Sequence, residues 1–330
     1  MQMSRNIIII HPGALGDVLL AVPAMKKLAA RFSQHTIVLI ARAPVSRLLA
    51  ECRVIHEWIS IESQVCAGLF TRFGRPSMEL QSCLARCDAA VAWTHDTDGS
   101  LATIFGEFGI SRVWIQSPFS SALNARHQRD RFLETLGETG IDGLGHDGLP
   151  IPDSLLEKGK GYLQDKGILS NCSLVLVHPG SGSIHKCLRS EKLAGILQQL
   201  QQREISPVLL EGPADQDAVE GVRRLLSKKP PVLRDLELSL LAGILGQAEL
   251  YLGHDSGLTH LAALLGVRTV AVFGPTDHLR WAPQHGRVSV LRGAPCVCPS
   301  WDAVKQCHEK PCLDLPIENI LTALKLQTAA

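Results

Sequence analysis

The feature that most constrains this chain is a repeated alternation of short apolar runs with helix-length segments, in two series separated by a stretch rich in Gly, Asp and Pro. Residues 6–11 (NIIIIH) form an uninterrupted apolar run, which suits a strand covered on both faces, and residues 17–32 follow with helical spacing. Residues 36–40, 89–93 and 112–115 repeat the strand signal at intervals long enough for crossover helices. A second series begins at Ser173, where runs at 174–178 (LVLVH), 207–210, 249–252 and 269–273 alternate with helical patterns at 191–202, 215–226, 238–246 and 259–265. Buried strands joined by crossover helices pair in parallel, so the pattern predicts two doubly wound, Rossmann-like α/β domains. The linker-like residues 137–153 (GETGIDGLGHDGLPIPD) set the expected division at 1–160 and 161–330, with the apolar helix at 316–326 free to pack on either domain. Open sheets of this kind take ligands beyond the carboxyl ends of their strands, which predicts a central cleft faced by both domains.

A chain of 330 residues with 45% hydrophobic content can supply a core to each domain. Its 33 basic and 32 acidic residues leave no global field to draw it onto nucleic acid or an anionic membrane, so any polyanionic partner must be met locally. The opening MQMSRNIIIIHPGALGD has four consecutive isoleucines, too few for a signal peptide or a membrane span, and the expected location is the cytoplasm. That compartment suits ten cysteines if they stay reduced. Cys52, Cys66, Cys83, Cys87, Cys172 and Cys187 lie in regular segments as small hydrophobes, whereas Cys296, Cys298, Cys307 and Cys312 crowd into one loop-like stretch. Cys-x-Cys, eight residues, then Cys-x4-Cys is not a zinc-ribbon spacing, which favours structural thiols over a metal site.

Three strand-to-helix loops carry the chemistry. In HPGALGD, Gly13 and Gly16 permit a tight turn whose free amides can face a polar ligand, and Asp17 opens the helix, where a first-turn acid also meets the positive end of the dipole. The spacing G-x-x-G and Arg42 after the second strand do not match a dinucleotide fingerprint, so no nicotinamide cofactor is expected. In HPGSGSIHK, small residues offer amides and hydroxyls and Lys186 adds a mobile charge, a combination suited to phosphate as well as to an ordinary glycine turn. In LGHDSGLTH, Ser256, Gly257 and Thr259 offer donors at a helix start favourable to a diphosphate, and Asp255 can accept from sugar hydroxyls. Capping by Asp255 or Ser256, with His260 packed behind, explains the same residues structurally.

The blocks GALGDVLLAVPAMKKL, VHPGSGSIHK, LLEGPADQD and LGHDSGLTHLAALLGVRTVAVFGPTD, in this order, resemble glycosyltransferase family 9, the ADP-heptose:lipopolysaccharide heptosyltransferases. The resemblance implies a GT-B fold, with the acceptor on the N-terminal domain, the donor nucleotide sugar mainly on the C-terminal one, and no metal or other cofactor. It implies Asp17 as general base, beside Gly16 in the acceptor region. Lys186, Ser181 and Ser183 would hold donor phosphate, and Asp255, Ser256, Gly257, Thr259 and His260 would cradle the diphosphate and sugar. Glu211 or Asp215 would bind the ribose. The family's usual Lys-x-Trp-Pro is here Lys186-Cys187-Leu188-Arg189, a departure that bears on the donor. The implied reaction is inverting transfer of heptose from ADP-heptose to the lipopolysaccharide inner core, with domain closure bringing base and donor together. A nucleotide-sugar epimerase and a non-catalytic nucleotide-sugar-binding relative are the competing readings.

The N-terminal half also carries an acceptor signal. No lysine occurs between Leu28 and Glu157, and the basic charge there is arginine. The arginine fork pairs two-point with carboxylate and phosphate, which suits a lipid-linked anionic saccharide such as Kdo-lipid A, while a compositional bias toward arginine with ordinary surface ion pairs explains the same residues. Residues 68–75 (GLFTRFGR) read as a mobile loop placing Arg72 and Arg75 beside Phe70 and Phe73, compatible with peripheral contact at the inner face of the inner membrane.

Overall fold

The computed structural model describes residues 5–71, 74–118, 126–137, 148–168 and 173–324. Among them, eleven strands form two sheets, and every strand pairing is parallel. The first contains β1 (Asn6–Ile10), β2 (Thr36–Ala41), β3 (Glu57–Ser60), β4 (Cys87–Ala92) and β5 (Arg112–Ile115), in the order β3-β2-β1-β4-β5. The second contains β6 (Val175–Val177), β7 (Pro207–Glu211), β8 (Val232–Arg234), β9 (Leu250–His254), β10 (Arg268–Val272) and β11 (Val288–Leu291), in the order β11-β10-β9-β6-β7-β8. Each order reverses once beside the first strand of its sheet, between β1 and β4 and between β6 and β9. These are the switch points where loops diverge and open sheets bind ligands.

The strands with continuous apolar sequence occupy the sheet centres. Ile7 to Ile10 of β1 are each 0% exposed, because β1 is covered on both faces. β3, β5, β8 and β11 are edges, and three of these, β3, β8 and β11, have no counterpart in the predicted runs. These three are only partly covered and carry residues such as Glu57, Arg234 and Ser289, so they leave no continuous apolar run, whereas the edge strand β5 does. The helix expected at 17–32 is two, Leu15–Leu20 and Val22–Arg31, broken at Ala21. Pro23 explains the break: it has no N–H for the Leu19 carbonyl and its ring crowds that carbonyl.

The chain divides into two compact units, Met1–Pro150 and Ile151–Ala330. The division lies ten residues before the expected 160/161, and the helix Asp153–Asp165 packs on the helix Leu238–Leu245 of the second unit. Glycine permits that contact: a Cβ on Gly159 would come within 2.2 Å of the Gly243 carbonyl carbon. Residues 138–147 of the expected linker and Cys172 lie outside the described residues. The final helix, Ile317–Leu324, packs against the helix Ser190–Gln202 and β10, and Ile320 and Leu324, each 0% exposed, join the core of the second unit. No helix among the described residues is long and apolar enough to cross a membrane.

Candidate functional site

The second unit gathers the predicted donor residues at its switch point. The loop after β6 and the turn after β9 lie on adjacent strands and are tied together by side chains. Ser181 Oγ donates to the Asp255 carbonyl at 2.5 Å, and Lys186 Nζ pairs with Asp255 Oδ2 at 2.7 Å. Lys186 also lies over the Trp301 ring, 5.8 Å from its centroid. Ser183 caps the short turn Ile184–Lys186, its Oγ accepting from the His185 amide at 3.3 Å.

On the other side of the switch point, Ser256 is the N-cap of the helix Gly257–Leu264, and its Oγ accepts from the Thr259 amide at 3.4 Å. Asp255 does not cap, so its carboxylate is left to face Lys186. Thr259 is 0% exposed, and its hydroxyl donates to the His254 carbonyl and lies 3.3 Å from the Tyr251 hydroxyl. The Thr259 and His260 side chains are therefore buried parts of the helix's inner face, while Gly257 supplies backbone at its start.

The two ribose candidates separate. Asp215 is buried, and its Oδ2 takes bonds from His178 Nε2 and the Gly212 amide, both at 2.9 Å. Burial alone would raise the Asp215 carboxyl, but the His178 bond and charge and the Gly212 amide hold it below the ordinary carboxylate range. His178 Nδ1 lies 3.4 Å from Ser256 Oγ, so a chain of contacts joins Asp215 through His178 to the helix start. Glu211, at the end of β7, instead receives a bond from Arg234 Nε on β8 at 2.8 Å.

In the first unit, Asp17 sits at the third position of the helix Leu15–Leu20, with Ala14 as the N-cap. Its Oδ2 accepts from the Ala14 amide at 3.1 Å, half of a capping box whose other half alanine cannot supply. Gly16 lies in the same turn, and Gly13 is required there. A Cβ at Gly13 would come within 2.7 Å of the His11 ring and 2.9 Å of Asp17 Cβ. His11 Nδ1 accepts from the Gly13 amide at 3.2 Å, and the ring lies between Trp93 and Phe132, with centroids 5.7 and 5.3 Å away. Burial pushes the His11 pKa down to about 4, so the imidazole is neutral at neutral pH and holds the Asp17 loop by geometry.

The arginine loop departs from expectation. Residues Gln64–Phe70 form a short 3-10 helix, and Gly68 backs directly onto the Arg75 carbonyl, where a Cβ would come within 2.1 Å. The described part is thus a packed turn, with Arg75 and Phe70 exposed. Arg72 and Phe73 lie outside the described residues. In the Cys-rich stretch the described thiols are free. Cys296 lies beside Cys298 and Cys312, and Cys307 lies beside Cys298. Burial, with the neighbouring thiols, pushes Cys312 up to about 11. Among the described residues no group of three or more His, Cys, Asp or Glu side chains is arranged to hold a metal ion.

Residue-by-residue reading of the loops passes over three histidines, although the sequence carried a signal for them. His11 directly follows β1, His178 directly follows β6, and His254 ends β9. All three stand at the carboxyl ends of central strands beside a switch point, and all are buried.

The model of "Glycosyltransferase family 9 (heptosyltransferase)" matches residues 148–312. Lipopolysaccharide heptosyltransferase 3 of Escherichia coli (strain K12) is 31% identical over 177 residues, 52% of this chain and 51% of that protein. The chain thus aligns with about half the length of the curated relatives it matches. Among solved structures, the glycosyl transferase family 9 protein of Veillonella parvula DSM 2008 superposes with a TM-score of 0.77 at 18% identity, covering 98% of this chain and 97% of that one. E. coli ADP-heptose lps heptosyltransferase II superposes with a TM-score of 0.76 at 18% identity, with the same coverage.

Proposed function

Because the chain belongs to glycosyltransferase family 9 and carries its GT-B fold of two Rossmann-like domains, we propose that it transfers heptose from ADP-heptose to the lipopolysaccharide inner core, with inversion. The observation that carries the proposal is the convergence of Ser181, Lys186, Asp255 and Ser256 at the switch point of the second sheet. Two positive features meet there, the Lys186 ammonium and the amides at the start of the helix Gly257–Leu264. Both suit a diphosphate and supply the charge that a divalent cation would otherwise bring, so the transfer is proposed to need no metal. The names of two relatives, lipopolysaccharide heptosyltransferase 3 and ADP-heptose lps heptosyltransferase II, support the donor and acceptor classes.

In the proposed reaction the donor diphosphate draws Lys186 toward its oxygens. The acceptor hydroxyl attacks the anomeric carbon from the face opposite the diphosphate. Asp17 takes the hydroxyl proton as the new C–O bond forms, and the bond to the diphosphate breaks with its electron pair leaving on ADP. Lys186 and the helix amides stabilise that charge. The position of Asp17 after the central strand β1, with its loop held by His11, supports its role as base. Arg75 is proposed to meet the anionic acceptor, and the reaction is placed at the cytoplasmic face of the inner membrane, by peripheral contact.

The test is incubation of the chain with ADP-heptose and heptose-deficient lipopolysaccharide in the presence of chelator. A mass increment of one heptose on the acceptor, with release of ADP, is expected. Conversion of the nucleotide sugar without acceptor would replace transfer by epimerisation. Binding without turnover would make the chain a nucleotide-sugar-binding relative, and activity only with added divalent metal would overturn metal independence.

A further inference from the structure

We infer that His254 is a positioning residue for the donor site: its imidazole ties together both ends of the loop at residues 180–188 and so holds Ser181, Ser183 and Lys186 in one arrangement. The inference rests on the donor reading given above. His254 Nε2 accepts from the Leu188 amide at 3.0 Å, which places the ring proton on Nδ1, and Nδ1 then donates to the Gly180 carbonyl at 3.3 Å. One side chain therefore spans the loop from its first residue to its last.

The ring suits this task. It is 1% exposed and sits at the end of β9, a central strand paired with β6 on one side and β10 on the other. The next two residues are Asp255 and Ser256, so a single strand end fixes the helix side of the site through the backbone and the lysine side through the ring. Burial and the charge of His178 push the pKa of His254 down to about 4, while the Gly180 carbonyl pulls the other way. The charged and titratable groups acting on it are His178, Asp215 and Lys310. Protonation would put a hydrogen on Nε2 and remove the acceptor for Leu188, so the bridge needs the neutral ring.

The loop needs such a tie. It contains Gly180 and Gly182, which leave its backbone freer than other residues would. Within it the bonds are local, from the Lys186 amide to Ser183 and from the Cys187 amide to Ile184. From outside, Ser181 bonds the Asp255 carbonyl and Lys310 Nζ donates to the Ile184 carbonyl at 3.0 Å. The outgoing amide of Leu188 and the Gly180 carbonyl are both held by His254. Ordering a glycine-containing loop before the ligand arrives removes an entropic cost from binding.

The test uses the full chain with His254→Leu, which keeps volume without either bond, and His254→Gln, which offers an acceptor and a donor. Hydrogen exchange across residues 181–188 reads the loop without ligand, and calorimetric titration with ADP reads the site. In His254→Leu the Leu188 amide and its neighbours are expected to exchange faster. ADP should bind about tenfold to a hundredfold more weakly, the scale of two lost neutral hydrogen bonds. Donor KM should rise in parallel, with kcat at saturating donor changed by only a few fold, and His254→Gln should recover most of the affinity. Unchanged exchange, faster exchange with wild-type ADP affinity, or no recovery in the Gln variant would each overturn the inference. If His254→Leu does not fold, His254→Asn, whose shorter amide reaches one partner at most, takes its place. A wild-type chain that binds no ADP would overturn the donor proposal instead, and the exchange comparison would still decide the bridge.

Discussion

Two glycines in the helix Asp153–Asp165, only two residues apart, should respond to alanine with opposite signs. Gly161 has nothing within 4 Å of a would-be Cβ, so Gly161→Ala gains only helix propensity, about 1 kcal/mol. Gly159 faces Gly243, and its Cβ would lie 2.2 Å from that carbonyl carbon and 2.5 Å from the oxygen, where ordinary contact begins at 3.4 Å. The obstacle is backbone, which cannot rotate away, so the helices must part by about 1.2 Å along their contact. Overpacking of this kind costs about 1–3 kcal/mol, and parting the helices loses dispersion over the rest of the interface, which favours the upper end. Against the propensity gain, Gly159→Ala should lose about 2 kcal/mol. For a unit of this size that lowers the melting temperature by about 4–8 °C, whereas Gly161→Ala raises it by about 2–4 °C. Thermal unfolding followed by circular dichroism, with ADP absent, measures both. A Gly159→Ala chain as stable as the Gly161→Ala one would refute the close helix contact and, with it, the placement of residues 151–165 in the second unit.

Asp17→Asn keeps an acceptor for the Ala14 amide but cannot take a proton, so transfer should fall by about a hundredfold or more while ADP affinity and melting temperature stay near wild type. Near-normal turnover with chemistry rate-limiting would move the base elsewhere. Lys186→Ala removes the cation beside Asp255, and ADP affinity should drop by about tenfold to a hundredfold, a loss that narrows as salt is raised. Equal affinity in both proteins would take Lys186 out of the donor site. His11 and His254 have folded pKa values near 4 against an ordinary 6.5, so below pH 6.5 the unfolded chain binds protons that the folded chain does not. Their contribution to stability is therefore fully present above pH 6.5 and is lost as pH falls toward 4. Denaturation midpoints measured across that window should fall with pH, and His254→Gln should reduce the slope. A flat profile between pH 6.5 and 4 would contradict the buried neutral rings.

By itself, the sequence determined the sheet centres and the loops of the candidate site. A run such as NIIIIH or LVLVH has one good fate, a strand covered on both faces, and each was followed by a glycine-bearing loop at the carboxyl end where such sheets bind ligands. Burial and periodicity are local properties, so they can be read locally. Ser181, Lys186, Asp255 and Ser256 were legible for that reason, and the tertiary structure brings them together. It alone decided what lies across long sequence separations. The edge strands β3, β8 and β11 exist because a neighbour offers unpaired backbone, which no apolar pattern announces. Glu211 and Asp215 stand alike as ribose candidates in LLEGPADQD, and only the fold shows that Asp215 is the buried partner of His178, 37 residues away. Trp301 reads as part of a Cys-rich tail, yet its ring lies under Lys186. The histidine of GHDSG looks like a strand residue, and only the fold shows its two nitrogens reaching Gly180 and Leu188. A hydrogen bond is short-ranged and directional, so its partner is fixed by where the backbone carries each group, and that is set by the packing of the whole domain.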